Sequence, residues 1–404
     1  MKKFEQHAAR SGNPNWEKLI SRQKPIYNRP DEIRSEFARD YTRVLHSLAF
    51  RRLKHKAQVF FNGADNDHIC TRIEHVYHVD SVSSTIAIAL GLNEELTRAI
   101  SIAHDLGHAP YGHEGEKILR AIRMRELGKS FWHEQNGLRF VDYVELLEDN
   151  ERNPQNLNLT YAVRDGIISH CGELDKNCIR PRNELIDLEN FEKPGQFEAA
   201  TWEGCVVKLA DKIAYLGRDI EDATRLGYLA REQMAQLEEM ARTNDAKAIN
   251  TTVIMHNMII DLCKNSNPEE GLKLSDEMSD QLNEIKKFNY ANIYKNPRLE
   301  PYRRYAEIVL NELYDDLSSY YQGPETAAHL KERCFAGSGS AGVPGREYVK
   351  EFAVWLEERS TDGPHINKIY DLAKEDDYKQ AVIDYLAGMT DSYANKCYNE
   401  LLEC

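Results

Sequence analysis

The chain has no pair of cysteines at metal-ribbon spacing, no apolar run near the ~20 residues that cross a bilayer, and no excess of positive charge. Its eight cysteines (70, 171, 178, 205, 263, 334, 397 and 404) are scattered through 404 residues, so free thiols in a reducing compartment are expected rather than a disulfide framework or a zinc ribbon. The first residues, MKKFEQHAARSGNPNW, have no apolar core that could act as a secretory signal, and a cytoplasmic location is expected. With 52 Lys and Arg against 66 Asp and Glu, the net charge of −14 argues against a protein that coats nucleic acid. Strand-like alternation is nearly missing, no repeat of 20–50 residues is visible, and the Gly-rich stretch at 335–345 lacks the Lys-Ser/Thr ending and preceding strand of a phosphate-cradling loop.

What is present is helical periodicity and histidine. The pattern predicts an all-α chain, with a long helix over 31–58 that Asp31 could cap, others near 71–90 and 93–107 with Asn93 as cap, and further ones at 114–127, 134–148, 160–170, 202–227 and 229–243. Helices are also predicted at 247–265, 275–289, 303–321, 346–359, 365–373 and 376–403, with loops at 62–68, 149–159, 172–200 and 335–345. Residues 1–30 read as an N-terminal arm, 31–230 as a core and 231–404 as a helical C-terminal region. Seven of the 14 histidines fall between 68 and 133, where an even spread would place about two. The charge is uneven too: residues 1–140 carry 22 basic and 17 acidic residues, and the rest carry 30 and 49.

The informative strings are TRIEH at 71–75, HDLGHAPYGHEGE at 104–116 and KLADKIAYLGRDI at 208–220. His75, His104, Asp105 and Asp211 offer two imidazoles and two carboxylates from three predicted helices, a mixed N/O set suited to Mn²⁺, Fe²⁺ or Zn²⁺ and less to Mg²⁺. Adjacent His and Asp can converge on one ion where a helix ends and the backbone turns away. His113 and Glu116 are three residues apart, on one face of a helix that starts there, and can form an imidazole–carboxylate acid/base pair.

His75, then His104-Asp105, then Asp211 match the H…HD…D signature, and the chain resembles the HD-domain metal-dependent phosphohydrolases. Longer strings narrow the resemblance to the deoxynucleoside triphosphate triphosphohydrolases, the dGTPase-like group: RDYTRVLHSLAFRRLKHKAQVF at 39–60, FWHEQN at 131–136, NLTYAVRDGI at 158–167, ADKIAYLGRDIEDA at 210–223 and AGMTDSYA at 387–394. The resemblance implies an HD-type helical core with an appended helical region that completes the site. It implies one divalent ion per site, Mn²⁺ or Mg²⁺ before Fe²⁺ or Zn²⁺, and hydrolysis of a dNTP, dGTP first, to deoxynucleoside and inorganic triphosphate. By position, His75, His104, Asp105 and Asp211 become the metal ligands, and His113, Glu116 and His133 the catalytic group. Arg72, Lys212 and Tyr215 become phosphate contacts, Asp219 the acceptor of the sugar 3′-hydroxyl, and Gln58 with Val59 the pair packed on the deoxyribose. A tyrosine against sugar or base is expected beyond residue 290, with Tyr294, Tyr302 and Tyr305 as candidates. His108 is expected to support the ligands, whereas His78 stands where relatives carry Glu and inherits no role. The basic run Arg43, Arg51, Arg52, Lys54 and Lys56 reads as a solvated face, with phosphate contact as the alternative.

The implied partners are a dNTP substrate and further copies of the chain in a tetramer or hexamer, with an activating nucleotide or single-stranded DNA as additional candidates and no membrane. The rival functions are an HD-superfamily nucleotidase or phosphodiesterase, and a nucleotide- or single-stranded-DNA-binding regulatory protein that keeps the fold.

Overall fold

A computed structural model describes residues 2–27, 30–60, 68–171, 177–241, 251–335, 346–360 and 368–403. Its helices are α1 (Trp16–Leu19), α2 (Glu36–His46), α3 (Leu48–Arg52), α4 (Arg72–Leu90), α5 (Glu94–Ala103), α6 (Gly112–Leu127), α7 (His133–Arg139), α8 (Tyr161–Ser169) and α9 (Trp202–Arg225). They continue with α10 (Arg231–Ala241), α11 (Thr251–Asn265), α12 (Asp276–Asn289), α13 (Glu300–Ser318), α14 (Thr326–Phe335), α15 (Glu347–Glu357), α16 (Glu375–Gly388) and α17 (Asp391–Leu402). Among the described residues the only sheet is a hairpin of two two-residue strands, Leu147–Glu148 and Pro154–Gln155. The all-α expectation holds, and no described helix is long and apolar enough to cross a membrane.

Local chemistry sets the boundaries that position the site. Glu74 accepts the Thr71 N–H at 2.7 Å at the start of α4, and Gly91 ends that helix in the left-handed region at φ 91°. Asn93 caps α5 by accepting from Glu95 and Leu96 N–H, and Thr201 caps α9 at Gly204 N–H. On α4 the residues Arg72, His75, Val76, Val79, Val82, Ser83, Ile86, Ala87 and Leu90 are buried, one stripe of helical period. Helix α9 runs 24 residues, about 36 Å, and is buried along most of its length. It packs on α4, α5, α8, α11 and α12 and forms the axis of the core. Helix α6 bridges the halves of the chain, because α13 and α16 both pack against it.

Several predicted elements are interrupted by side chains that compete for backbone groups. The helix expected over 31–58 is two helices: Ser35, not Asp31, caps α2, and Ser47 stands extended at ψ 149° and caps α3 through Phe50 N–H. The helix expected over 134–148 ends at Arg139, passes through a π turn at Phe140–Val144 and becomes the first strand, while the second strand occupies part of the loop placed at 149–159. The helix expected over 376–403 breaks at Met389, ψ 154°, and Thr390 caps α17. Residues 368–373 are not helical, and α14 falls where no helix was expected. Most of the loops placed at 62–68 and 335–345, and residues 365–367, lie outside the described residues. Cys70, Cys171, Cys178, Cys205, Cys263 and Cys397 form no disulfide, as expected.

Candidate functional site

Helix α5 ends at Ala103, so His104 is its C-cap and Asp105 already leaves the helix axis. That termination lets two neighbouring side chains turn to one point. His104 Nε2 lies 3.5 Å from Asp105 Oδ1 and 3.9 Å from Asp211 Oδ1. His75 Nε2, from the first turn of α4, lies 3.0 Å from Asp211 Oδ1 and 3.8 Å from Asp105 Oδ2. The four residues singled out as metal ligands therefore converge, drawn from α4, the end of α5 and the middle of α9.

The donor chemistry fits a divalent cation. His104 Nδ1 donates to the Ser101 carbonyl at 2.6 Å, which leaves its Nε2 with a lone pair. That Nε2 is buried and has no hydrogen-bond partner among the described residues. An imidazole fixed in this tautomer and aimed at two carboxylates is the arrangement that binds metal. His75, His104 and Asp211 each present a ligand atom, and these atoms lie within 4.8 Å of one another. Burial would keep Asp211 protonated, but the His75 hydrogen bond and charge outweigh it and hold the carboxyl below its ordinary value. Burial opposes ionisation of Asp105 too, and is outweighed by His108, His104 and Arg72.

Around this point stands a ring of supporting groups. Arg72 Nη1 meets Asp105 Oδ2 at 3.0 Å, and the same guanidinium donates to the carbonyls of Ala57 and Gln58 at 3.3 and 3.1 Å. His108 Nε2 lies 3.1 Å from Asp105 Oδ1, the same oxygen that faces His104, and its ring stacks on His133 at 4.0 Å. His108 thus steadies the carboxylate. His78 points elsewhere, 3.0 Å from the Arg218 guanidinium.

Glu116 faces two imidazoles, the expected His113 and also His133. Glu116 Oε2 lies 2.9 Å from His133 Nδ1 and 3.6 Å from His113 Nδ1, and Oε1 takes Arg120. The His113 side chain is 65% exposed, whereas that of His133 is 12% exposed and also lies 3.2 Å from Glu134. Burial alone would lower the His133 pKa, yet Glu134 and Glu116 raise it to about 9. The imidazole that this carboxylate holds and charges is His133.

On α9 the residues Asp211, Tyr215 and Asp219 recur every four positions and share a face. Asp219 is buried and accepts the Tyr294 hydroxyl through Oδ2, while Oδ1 has no hydrogen-bond partner among the described residues. Of the three tyrosine candidates, Tyr294 is the one that reaches this carboxylate: Tyr302 is 37% exposed, and Tyr305 packs edge-on against Tyr398. Gln58 is buried with Oε1 unpartnered, and Val59 packs on the core beside it. Gln58 Oε1, His104 Nε2 and Asp219 Oδ1 are among the buried side-chain atoms that have no hydrogen-bond partner in the described residues. Lys212 lies on another face of α9, where with Leu209, Ile213, Asn177, Leu272 and Leu282 it lines a cavity of about 400 Å³.

Two features escaped the reading of the sequence. His170, at the end of α8, is buried with Nδ1 bonded to the Ile167 carbonyl, and its ring lies 5.0 Å from that of His104. Its position outside the histidine-rich segment hid it, although the string NLTYAVRDGI ends three residues earlier. The basic run is not a uniformly solvated face: the helix stops at Arg52, Arg43 donates to the Leu157 carbonyl, Arg52 pairs with Glu145, and Lys56 is buried.

Comparison with known proteins agrees with this geometry. The HD domain family matches residues 72–216, and the phosphohydrolase-associated domain matches residues 272–335 and 344–400. A protein of Desulfatibacillum aliphaticivorans named deoxyguanosinetriphosphate triphosphohydrolase-like is 36% identical over 334 residues, covering 82% of this chain and 86% of that one. Proteins of the same name from Clostridium perfringens (strain SM101 / Type A) and Caldanaerobacter subterraneus subsp. tengcongensis are 33% and 31% identical over 376 and 371 residues. Each covers 92% of this chain, which spans 88% and 86% of them.

Proposed function

This chain belongs to the HD-domain phosphohydrolases of the deoxyguanosinetriphosphate triphosphohydrolase-like family, and from that premise we propose that it hydrolyses a dNTP, dGTP first, to the deoxynucleoside and inorganic triphosphate. The observation that carries the proposal is the convergence of His75, His104, Asp105 and Asp211 at one end of a line of side chains whose other end is the buried pair Asp219–Tyr294. A nucleotide laid along α9 would set its α-phosphate at the first and its sugar at the second.

His75, His104, Asp105 and Asp211 would hold a divalent ion, which when bound would supply Lewis-acid polarisation of the α-phosphoryl group. The chain's own residues do the rest. Arg72, already beside Asp105, binds an α-phosphate oxygen. Tyr215, between Asp211 and Asp219, contacts the phosphates, whereas Lys212, on the face of α9 that lines a separate cavity, takes no part in this arrangement. Water attacks the α-phosphorus and gives up a proton as its oxygen joins the triphosphate; the bond from phosphorus to the sugar 5′-oxygen breaks, that oxygen takes a proton and the deoxynucleoside leaves, and the proton released by water restores the donor. His133 is the donor, because its two carboxylate neighbours keep it protonated at neutral pH. His113, exposed beside it, contacts the phosphates from the solvent side. The free Oδ1 of Asp219 accepts the 3′-hydroxyl, and Gln58 and Val59 close on the deoxyribose where a 2′-hydroxyl would stand.

The test is a product-resolved assay with each dNTP, singly and in pairs, with Mn²⁺ and with Mg²⁺. Triphosphate and deoxynucleoside in equal amounts are expected. Release of pyrophosphate or monophosphate without triphosphate would overturn the proposal.

A further inference from the structure

Three backbone segments distant in sequence meet beside the metal cluster. Residues 56–58 lead into Gln58 and Val59, residues 108–112 lead from His108 into α6, and residues 387–391 form the break between α16 and α17. Asp391 ties the first two together: Oδ2 accepts the Ala57 N–H at 3.0 Å, and Oδ1 accepts the Tyr111 N–H at 2.9 Å. Lys56 answers in the opposite direction, its ammonium donating to the His108 carbonyl and, at 3.0 Å, to the Ala387 carbonyl. Both side chains are buried, Asp391 at 7% exposure and Lys56 at 2%.

The junction is a demanding one. Tyr111 sits in the left-handed region at φ 63°, a conformation unfavourable for a side chain of its size, and its hydroxyl donates to Asn395 on α17 at 2.6 Å. Gly112 follows at φ 59°, and a Cβ there would stand 3.3 Å from the Gln58 carbonyl oxygen, so segments 57–58 and 111–112 touch. The carbonyls of Ala57 and Gln58 in turn accept Arg72, which pairs with Asp105.

We propose that Asp391 is a positioning residue for the reaction: one buried carboxylate, holding the Ala57 and Tyr111 N–H groups, fixes Gln58–Val59 and the start of α6 against Arg72 and Asp105. The phosphohydrolase-associated region thereby shapes a site whose metal ligands all come from the HD region. This rests on the role given above to Gln58 and Val59. Both oxygens must accept, and an amide in place of the carboxylate would set an NH₂ group against one of the two N–H donors.

The test compares wild type with Asp391→Asn in the full chain. Three readouts are taken: metal content, kcat/KM for a dNTP and for the matching ribonucleotide, and amide exchange in peptides spanning 54–60 and 109–116. The expectation is unchanged metal content, a dNTP kcat/KM lower by about 10- to 100-fold, and a preference for dNTP over NTP reduced about 10-fold. Exchange should rise in those two peptides and not in α4 or α5. A purely structural tie would lower both substrates alike through lost folded protein and leave their ratio and KM untouched, and that result overturns the proposal. Should the Asn variant misfold, Asn395→Ala removes only the half-buried Tyr111 hydroxyl bond and should move the ratio the same way by about 2- to 3-fold; an unmoved ratio counts against the clasp. If wild type releases no triphosphate from any dNTP, the proposed function fails by itself. Exchange then judges the clasp, a local rise supporting it and an unchanged pattern rejecting it.

Discussion

Residues 72–216 bring four ligand candidates to one point from α4, α5 and α9, whereas residues 272–400 reach the site through separate side chains, Tyr294 from a π turn and Asp391 and Asn395 from α17. In the first region the helices exist in register with the site: His75 lies one turn into α4, His104 caps α5, and Asp211 and Tyr215 line α9, with Asp219 one turn further along the same helix. In the second region the site is reached across a packing interface, by α13 and α16 against α6 and by the π turn that carries Tyr294. On the roles proposed above, the contrast separates groups that would do chemistry from groups that would hold those in place.

The widest gap between the two regions should appear with Asp105→Ala. It removes a ligand candidate together with the partner of Arg72 and His108, and turnover should vanish along with bound metal; retained metal by elemental analysis would sink the ligand assignment. Next comes His133→Gln, expected to lower kcat by about 10²- to 10⁴-fold, as loss of a proton donor does, with metal retained. His113→Ala, at the exposed position, should cost less than about 10-fold on the same scale. The reverse order would return the acid/base role to His113. From the second region, Tyr294→Phe removes one hydrogen bond to a buried carboxylate. It should cost about 1–2 kcal/mol of stability and raise KM for dNTP several-fold with little change in kcat. A loss as large as that of Asp105→Ala would erase the distinction between the regions.

The smallest effect is a pH dependence. Burial lifts the Asp219 carboxyl from an ordinary 3.8 to about 7, against the opposing pull of the Tyr294 hydrogen bond. Between those values the folded chain holds a proton that the unfolded chain has released, so this residue's contribution to stability is present at low pH and is lost as pH rises through about 7. Asp219→Asn should flatten that part of the curve of melting temperature against pH. An unchanged slope would mean that Asp219 titrates as an ordinary surface carboxylate.

Much of this was legible in the chain itself. Helical period placed α4, α5, α9 and most of the rest, and the resemblance picked out His75, His104, Asp105 and Asp211, which the fold brings together, with ligand atoms of His75, His104 and Asp211 within 4.8 Å of one another. Breaks were harder to read, because Ser47 and Thr390 cap a new helix from inside a continuous apolar pattern, and nothing in the period distinguishes a capping hydroxyl from an ordinary exposed one. The partner of Glu116 was also hidden: His113 is near in sequence, while His133 arrives by the packing of α7 and lies nearer to the carboxylate. Tyr294, Tyr302 and Tyr305 could not be told apart until one of them reached Asp219.

The uneven charge noted at the outset is also partly resolved. Among the basic residues of the first 140, Arg72 and Lys56 are buried at the site and at its clasp, so the positive excess of that segment is spent in part on internal anchoring. The amino-acid order determined which residues recur on one helical face and which donors can bind metal, since both follow from a period of 3.6 residues and from side-chain chemistry. Only the tertiary structure decided which carboxylate holds which imidazole and that Asp391, some 280 residues beyond Tyr111, closes the junction beside the site. Those pairings depend on how helices dock, and docking is set by burial summed over the whole core rather than by any local string.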